Sequence, residues 1–241
     1  MTYLQFLLVF LLPPLLLLAV PVVRTLRERP WLGAGLLTLV VIAYVWTTPW
    51  DNYLVASEVW GYGDGRVLGT IWYVPIEEYL FFGLQTLMTG GWTILLMRRA
   101  DLLAPPPPRE RASRSTVLAW VAGTVTAGAL VLYEPTRYLG LILAWIGPPL
   151  GLQWWYGGRW LADRLRVLWP AVAVPTVYLW LADGYAIANG IWSISERYTT
   201  GLAFGPLPVE EATFFLVTNL VVVQGMVLFA SVRSEVLAWA R

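Results

Sequence analysis

Residues 75–97 read PIEEYLFFGLQTLMTGGWTILLM, an apolar run that begins with a proline and two adjacent glutamates. The run is long enough for one helix to cross a lipid bilayer, which takes about 20 apolar residues. A charged side chain inside such a span is costly, so Glu77 and Glu78 are unusual at its start. The stretch therefore predicts a transmembrane helix that carries a functional acidic pair.

Further apolar runs of similar length lie on both sides of this stretch. The chain is 58% hydrophobic and 13% charged, whereas about a quarter of a soluble domain is charged. We therefore predict an all-α fold, a polytopic bundle of about seven transmembrane helices. The predicted spans cover residues 3–23, 31–47, 73–97, 117–133, 138–155, 167–181 and 207–230.

All sixteen basic residues are arginines, and their distribution along the predicted spans is asymmetric. Thirteen follow spans one, three, five and seven, whereas Arg66, Arg137 and Arg197 lie in the other connections. Because arginine-rich loops stay on the cytoplasmic side, this bias predicts a multi-pass cell-membrane protein with its N-terminus outside and its C-terminus in the cytoplasm. The first run lacks a basic flank and a small-residue cleavage site, so we interpret it as a span rather than a signal peptide.

The acidic motif occurs twice, within a longer pattern that is repeated at an offset of 132 residues, or 133 from its proline onward. Four spans separate the copies, so both enter the membrane in the same direction, as parallel repeats do. We predict a first repeat over residues 1–98, a cytoplasmic Pro/Arg linker with a connector helix over 99–136, and a second repeat over 137–241. The matching residues are Asp51 and Asp183, Trp60 and Trp192, Glu77 and Glu210, Glu78 and Glu211, and Phe81 and Phe214.

Several residue types and motifs are absent from the chain. It has no cysteine, histidine or lysine, which excludes a thiolate nucleophile, a cysteine-ligated metal and a retinal Schiff base. No dinucleotide-binding or P-loop motif occurs, and no span carries aspartates spaced to hold Mg²⁺ and a diphosphate. We expect no cofactor, no metal and, because the arginines form no basic stripe, no nucleic-acid partner.

Carboxyl groups are thus the main candidates for chemistry. A carboxyl group in a dry site tends to keep its proton, because desolvation disfavours the charged form, and it can then act as a general acid. Its proton would suit an alkene, since aromatic faces stabilise the resulting carbocation. The predicted catalytic residues are Glu77, Glu78, Glu210 and Glu211, with Glu77 and Glu210 as the leading acid and base. The predicted substrate-holding or cation-stabilising residues are Trp60, Trp192, Phe81, Phe214, Asp51 and Asp183.

Each of these roles has a simpler alternative. Acidic residues favour the first turn of any helix, and Pro75 and Pro208 are predicted to occupy the first helical positions. Asp51 and Asp183 are expected to end their spans, where a carboxylate can be an ordinary interface residue. Tryptophan and tyrosine favour the membrane interface whatever the function. Asn219, in the last span, is predicted to bond a neighbouring helix.

The two Pro-x-Glu-Glu motifs, the tandem arrangement and the span count resemble the small integral-membrane lycopene cyclases of actinobacteria and archaea, in the form whose two halves are fused. The resemblance covers nearly the whole chain. It implies that linear lycopene, a lipid-soluble substrate, is isomerised through γ-carotene to β-carotene without net redox change and without a flavin. A proton would add to C2 of the ψ-end, the cation would close the ring, and C6 would lose a proton. Relatives form ε-rings or act on C50 carotenoids, and these motifs do not distinguish them.

A transporter or proton-coupled carrier is the competing interpretation, because parallel repeats and intramembrane acids occur in that class too. The spans between the glutamate pairs and the cytoplasm are nearly all apolar, which argues against a hydrated path. The sequence leaves open the oligomeric state and the choice between one shared site and one site per repeat. Beyond the substrate, the expected partner is membrane lipid.

Overall fold

Seven helices make up most of the computed structural model, which describes residues 1–100, 102 and 114–239. The predicted all-α bundle is thereby confirmed. The proline-rich part of the predicted linker, residues 103–113, lies outside the described residues. The helices are α1 Tyr3–Glu28, α2 Pro30–Ala56, α3 Ile76–Arg99, α4 Arg114–Leu130, α5 Arg137–Ala162, α6 Leu165–Ala188 and α7 Val209–Trp239.

Five helices in the described part of the chain are long and apolar enough to cross a membrane, which makes this a multi-pass membrane protein. The connector helix α4 contributes a shorter apolar stretch, Leu118–Leu130. The five candidate spans are Tyr3–Glu28, Pro30–Ala56, Ile76–Arg99, Leu168–Ala188 and Val209–Ala230.

The helices α2 and α6 run further than the predicted spans. Leu54, beyond the expected end of α2, is fully buried, and the apolar residues around it continue the helix. As a result, Asp51 and Asp183 lie inside α2 and α6 and are buried, so the prediction that they end their spans at the interface is wrong.

Short strands close the end of the bundle at which α3 and α7 begin. Strand β1 (Trp60–Tyr62) follows α2, and it pairs antiparallel with β4 (Trp192–Ile194), which follows α6. Two small hairpins then lead into the acidic helices. They are β2 Thr70–Ile71 with β3 Val74–Pro75 before α3, and β5 Ala203–Phe204 with β6 Leu207–Pro208 before α7.

The hairpins shift the predicted helix starts by one residue. Pro75 and Pro208 each belong to a hairpin strand, where they pair with Thr70 and Ala203, so the helices begin at the following residue. The prediction that these prolines occupy the first helical position is therefore wrong. The first glutamate of each pair becomes the second helical residue, and the second glutamate becomes the third.

Asn219 joins three helices in the middle of the bundle, as its place in the last span predicted. Its fully buried side chain accepts hydrogen bonds from Thr89 (2.7 Å) and Gln85 (3.2 Å) of α3. It also donates to the Thr176 hydroxyl of α6 at 3.1 Å. The network fixes α3 and α6 against α7, and so fixes the relative positions of the acidic helix starts above it.

Candidate active site

Four acidic side chains from four helices converge at the end of the bundle that the strands close. They are Asp51 of α2, Glu78 of α3, Asp183 of α6 and Glu211 of α7, and none is more than 7% exposed. Because each comes from a different helix, the packing of the bundle assembles this cluster, and no single motif contains it.

Two tyrosine hydroxyls hold the carboxyl group of Glu78. Tyr3, at the start of α1, donates to Oε2 at 2.7 Å, and Tyr62 of β1 donates to the same oxygen at 3.2 Å. Burial, with the nearby Glu78 carboxyl as a further cause, raises the pKa of Tyr62 well above its usual value. Tyr62 therefore stays neutral at physiological pH and remains a hydrogen-bond donor.

Glu211 is held in a similar way from the other half of the chain. Tyr138, at the start of α5, donates to its Oε1 at 2.6 Å, and the indole of Trp60 donates to the same oxygen at 3.2 Å. Tyr3 and Tyr138 thus have corresponding roles, since each begins a helix and bonds the second glutamate of one Pro-x-Glu-Glu motif.

The two aspartates are less completely bonded. Trp192 donates its indole N–H to Oδ1 of Asp183 at 2.8 Å, while Oδ2 of Asp183 has no partner among the described residues. Neither carboxyl oxygen of Asp51 has a partner in that part of the chain. Asp51 lies close enough to Glu78 and Glu211 to interact with both electrostatically.

The cluster has no positive charge among its hydrogen-bond donors, which are all phenols and indoles. Four ionised carboxylates this close together would repel one another, and burial disfavours each charge further. Carboxyl groups that lie this close together can act as the acid and the base of general acid–base catalysis.

Three of the four carboxyl groups line a small cavity of about 30 Å³, which has room for about one water molecule. Asp51 is not among the lining residues. The other lining side chains are aromatic with the exception of one isoleucine, so a cation formed in the cavity would face several π-systems. The lining residues are Glu78, Asp183, Glu211, Tyr3, Trp60, Tyr62, Phe81, Trp192, Ile194, Phe214 and Phe215.

Glu77 and Glu210, the leading acid and base of the sequence prediction, lie outside this cavity lining. Glu77 accepts a hydrogen bond from the backbone N–H of Leu68 at 2.8 Å. Glu210 accepts one from the backbone N–H of Thr200 at 2.7 Å and one from its hydroxyl at 2.8 Å. Both carboxylates therefore fasten a loop, and the second glutamate of each pair is the one that faces the cavity.

The remaining candidates are placed as follows. Trp60, Trp192, Phe81 and Phe214 line the cavity, and their role in holding substrate or stabilising a cation stays a prediction. The side chains of Trp72, Tyr73 and Phe204, which also lie in the loops before the acidic pairs, are exposed.

Sequence reasoning missed Tyr3 and Tyr138. Their offset of 135 residues is close to that of the repeat, so extending the repeat back to the first helix of each half would have found them.

The chain was compared with protein families, curated proteins and solved structures. A family model described as lycopene cyclase matches residues 1–96 and 138–229. The chain is 46% identical to a lycopene beta-cyclase of Halobacterium salinarum, over 97% of this chain and 98% of that protein. It is 37% identical to a bifunctional lycopene cyclase/phytoene synthase of Sporisorium reilianum, over 85% of this chain and 32% of that protein. The corresponding protein of Podospora anserina is 38% identical over 80% of this chain. No solved structure is significantly similar to the chain.

Proposed function

The chain belongs to the lycopene cyclase family, and on this premise we propose that it isomerises linear lycopene through γ-carotene to β-carotene by proton transfer from and to the buried carboxyl cluster. The observation that carries the proposal is the meeting of Glu78 and Glu211 in one cavity lined by aromatic side chains. Both carboxyl groups are buried and are held by neutral donors.

The reaction needs one proton in and one proton out for each ring. A carboxylic acid adds its proton to C2 of the ψ-end, which leaves a tertiary cation at C1. The C5–C6 double bond attacks C1, so that the C1–C6 bond closes the ring and the positive charge moves to C5. Loss of the C6 proton to a carboxylate then gives the β-ring double bond, with no change in composition.

We assign the proton transfers to Glu78 and Glu211 as a pair. Each uses one oxygen to accept its two hydrogen bonds, which leaves the other oxygen available to the cavity. After one turnover the proton must return from base to acid. Asp183 faces the same cavity, and Asp51 interacts with both glutamates, so these aspartates offer a route for that return.

Aromatic rings would stabilise the cation between the two transfers. The rings of Trp60 and Phe214 meet edge to face with centroids 5.9 Å apart, and Phe214 lies edge to face with Phe215 at 5.2 Å. A cation over such faces gains roughly 0.5–2 kcal/mol from each ring. Within the described part of the chain, the nucleophilic groups of the lining are the carboxyl and tyrosine hydroxyl groups, so the competing reactions of the cation are few and ring closure is favoured.

Glutamine substitutions test the assignment, because glutamine keeps the shape of glutamate but cannot give up a proton. In cells that accumulate lycopene, we expect Glu78→Gln and Glu211→Gln each to lower the yield of cyclised carotenoid by at least about 100-fold. Pigments are separated by chromatography, and protein content is checked in the membrane fraction.

The matched control is Glu134→Gln. Glu134 is an exposed glutamate whose pKa is lowered by its hydrogen bonds from Arg197, and it lies outside the cavity lining. Its substitution should leave the carotenoid yield unchanged. Native yields from both cavity variants would remove the proton-transfer assignment.

We also propose that the protein consists of two parallel repeats, with its N-terminus outside and its C-terminus in the cytoplasm. Corresponding contacts in the two halves support the repeats. Leu68 and Thr200 bond the first glutamates of the two motifs, and Tyr3 and Tyr138 bond the second glutamates. The orientation is supported by the excess of arginines after the odd-numbered predicted spans.

A further inference from the structure

A second, larger pocket lies below the carboxyl cavity, between α2 and α5, with α3 and α7 at its back. We call it the lateral groove; its volume is about 570 Å³, and its walls include Ile42 and Ala43 of α2, Leu152 of α5 and Val221 of α7. Phe81 and Phe214 line both the groove and the carboxyl cavity. These two rings therefore form the partition between the two spaces.

We propose that the lateral groove binds the polyene chain of the carotenoid and presents its end group, past Phe81 and Phe214, to Glu78 and Glu211. The inference rests on the proposed function, because it supplies the substrate chain for that site. The cavity of about 30 Å³ cannot hold an end group with the chain attached, so the substrate needs an adjoining space.

The dimensions of the groove suit a long, narrow hydrocarbon. Its lining on α7 extends from Phe214 to Phe229, which is about 22 Å along a helix that rises about 1.5 Å per residue. Its volume falls within the range of about 300–1,000 Å³ that is usual for small-molecule sites.

The walls of the groove are chemically suited to the same ligand. Most of the lining is apolar, and several of its polar side chains already donate to backbone carbonyls. The Thr218 hydroxyl donates to the Phe214 carbonyl at 2.8 Å, and the Gln153 amide donates to the Val221 carbonyl at 2.8 Å. A polyene has no group to satisfy such donors and needs none here.

Exposed side chains along α2 and α5 show where the ligand would arrive. Ile42 is 51% exposed and Leu152 is 62% exposed, although both line the groove. Because α2 is a candidate membrane span and α5 lines the other side of the groove, the proposal has these side chains face lipid. The groove then opens sideways towards the acyl chains in which a carotenoid dissolves.

The corresponding interface in the other half of the molecule, between α1 and α6, is closed by direct contacts. The hydroxyl of Tyr178 on α6 donates to the carbonyl of Phe10 on α1 at 2.6 Å. The ring of Phe10 also packs on that of Tyr185, with centroids 5.2 Å apart. Within the described part of the chain, these contacts join α1 to α6, so the proposal has the substrate approach from the α2–α5 side.

Binding and turnover are measured separately to test the groove. Lycopene is achiral, and a chiral binding site induces circular dichroism in its visible absorption band, so a titration of purified protein in detergent reports binding directly. In a Glu78→Gln background, which keeps lycopene unreacted, we expect Ala43→Trp to weaken binding at least tenfold because the indole fills the groove. The matched control is Val45→Trp on the same helix, at a side chain that is 71% exposed and outside the groove lining; it should bind within twofold of the parent.

A second variant guards against misfolding. Leu152→Trp replaces a side chain that already projects from the surface, so it need not disturb the core, and it should also weaken binding severalfold. Native lycopene affinity in both groove variants would overturn the inference. It would also be overturned if excess phospholipid abolished the induced circular dichroism equally in the parent and in Val45→Trp, because the groove would then be a lipid site. The groove and the chemistry fail separately: an active Glu78→Gln enzyme would refute the proton-transfer assignment, whereas the binding curves alone decide the groove.

Discussion

At the scale of single residues, Tyr138 shows how much a hydroxyl group can matter in a dry site. It donates to Glu211 at 2.6 Å, and its ring packs edge to face against Trp60, with centroids 6.0 Å apart. Tyr138→Phe keeps the ring but leaves Glu211 with the indole N–H as its remaining described donor. Loss of a hydrogen bond to a buried group costs about 1–3 kcal/mol. We therefore expect kcat to fall about tenfold with KM nearly unchanged, measured by lycopene turnover in detergent.

The control for this change is Tyr133→Phe, which removes a hydroxyl from a tyrosine that is 65% exposed. It should leave kcat unaltered. An equal loss in both variants would show that the Tyr138 effect is not specific to the carboxyl cluster, and an unaltered Tyr138→Phe enzyme would show that Glu211 does not need this donor.

The acidic pair could be identified from the sequence, but not the member that faces the cavity. Adjacent helical residues point about 100° apart, so the loops and helices around the pair decide which one enters the site. Glu77 turns to the backbone N–H of Leu68, and Glu78 turns to Tyr3 and Tyr62. The Tyr3 contact spans 75 residues, and no local pattern reveals it.

At the scale of elements, Glu210 attaches the loop before α7 to the first turn of that helix. Its carboxylate accepts two hydrogen bonds from Thr200, and the loop passes from there into the β5–β6 hairpin that starts the helix. Glu210→Ala removes both bonds, so we expect the free energy of unfolding to fall by about 1–3 kcal/mol. The melting temperature, followed by fluorescence in detergent, should decrease accordingly, and the loop should become more sensitive to protease.

Glu210→Gln separates this role from catalysis, because its amide oxygen can still accept from the backbone N–H and hydroxyl of Thr200. It should keep most of the stability and most of the cyclase activity. If Glu210→Gln instead lost activity as completely as Glu211→Gln, proton transfer would have to be assigned to the first glutamate of the pair.

The helices themselves were predictable because membrane spans are long apolar runs, but their ends were not. Hydropathy stops at the first polar residue, so it placed Asp51 at the end of its span. In the folded bundle the helix continues to Ala56, because Leu54 is buried against other helices and Asp51 is buried among the other carboxyl groups. Pairing of β1 with β4 was equally invisible, since it joins Trp60 to Ile194 across most of the chain.

At the scale of the whole molecule, the two halves contribute matching residues to one site. Within the described part of the chain, Glu78 from the first half and Glu211 from the second half face the same cavity. The lateral groove lies between α2 and α5, whereas in the corresponding interface the Tyr178 hydroxyl of α6 donates to the Phe10 carbonyl of α1. Glu78 and Glu211 thus occupy corresponding positions in the two halves, whereas the proposed substrate entrance lies on the α2–α5 side.

This asymmetry determines how a substrate with two identical ends must be handled. One end of lycopene lies beside the cavity, at Phe81 and Phe214, while its chain fills the groove. The other end then lies in the lipid, and the monocyclic product must leave and return reversed to receive its second ring. We therefore expect γ-carotene to exchange with the membrane pool. When unlabelled lycopene is turned over in liposomes with an excess of ¹³C-labelled γ-carotene, mass spectrometry should find most of the β-carotene labelled from the start. If β-carotene instead formed unlabelled despite the excess, the intermediate would stay bound, and the second end would have to reach Glu78 and Glu211 by another path.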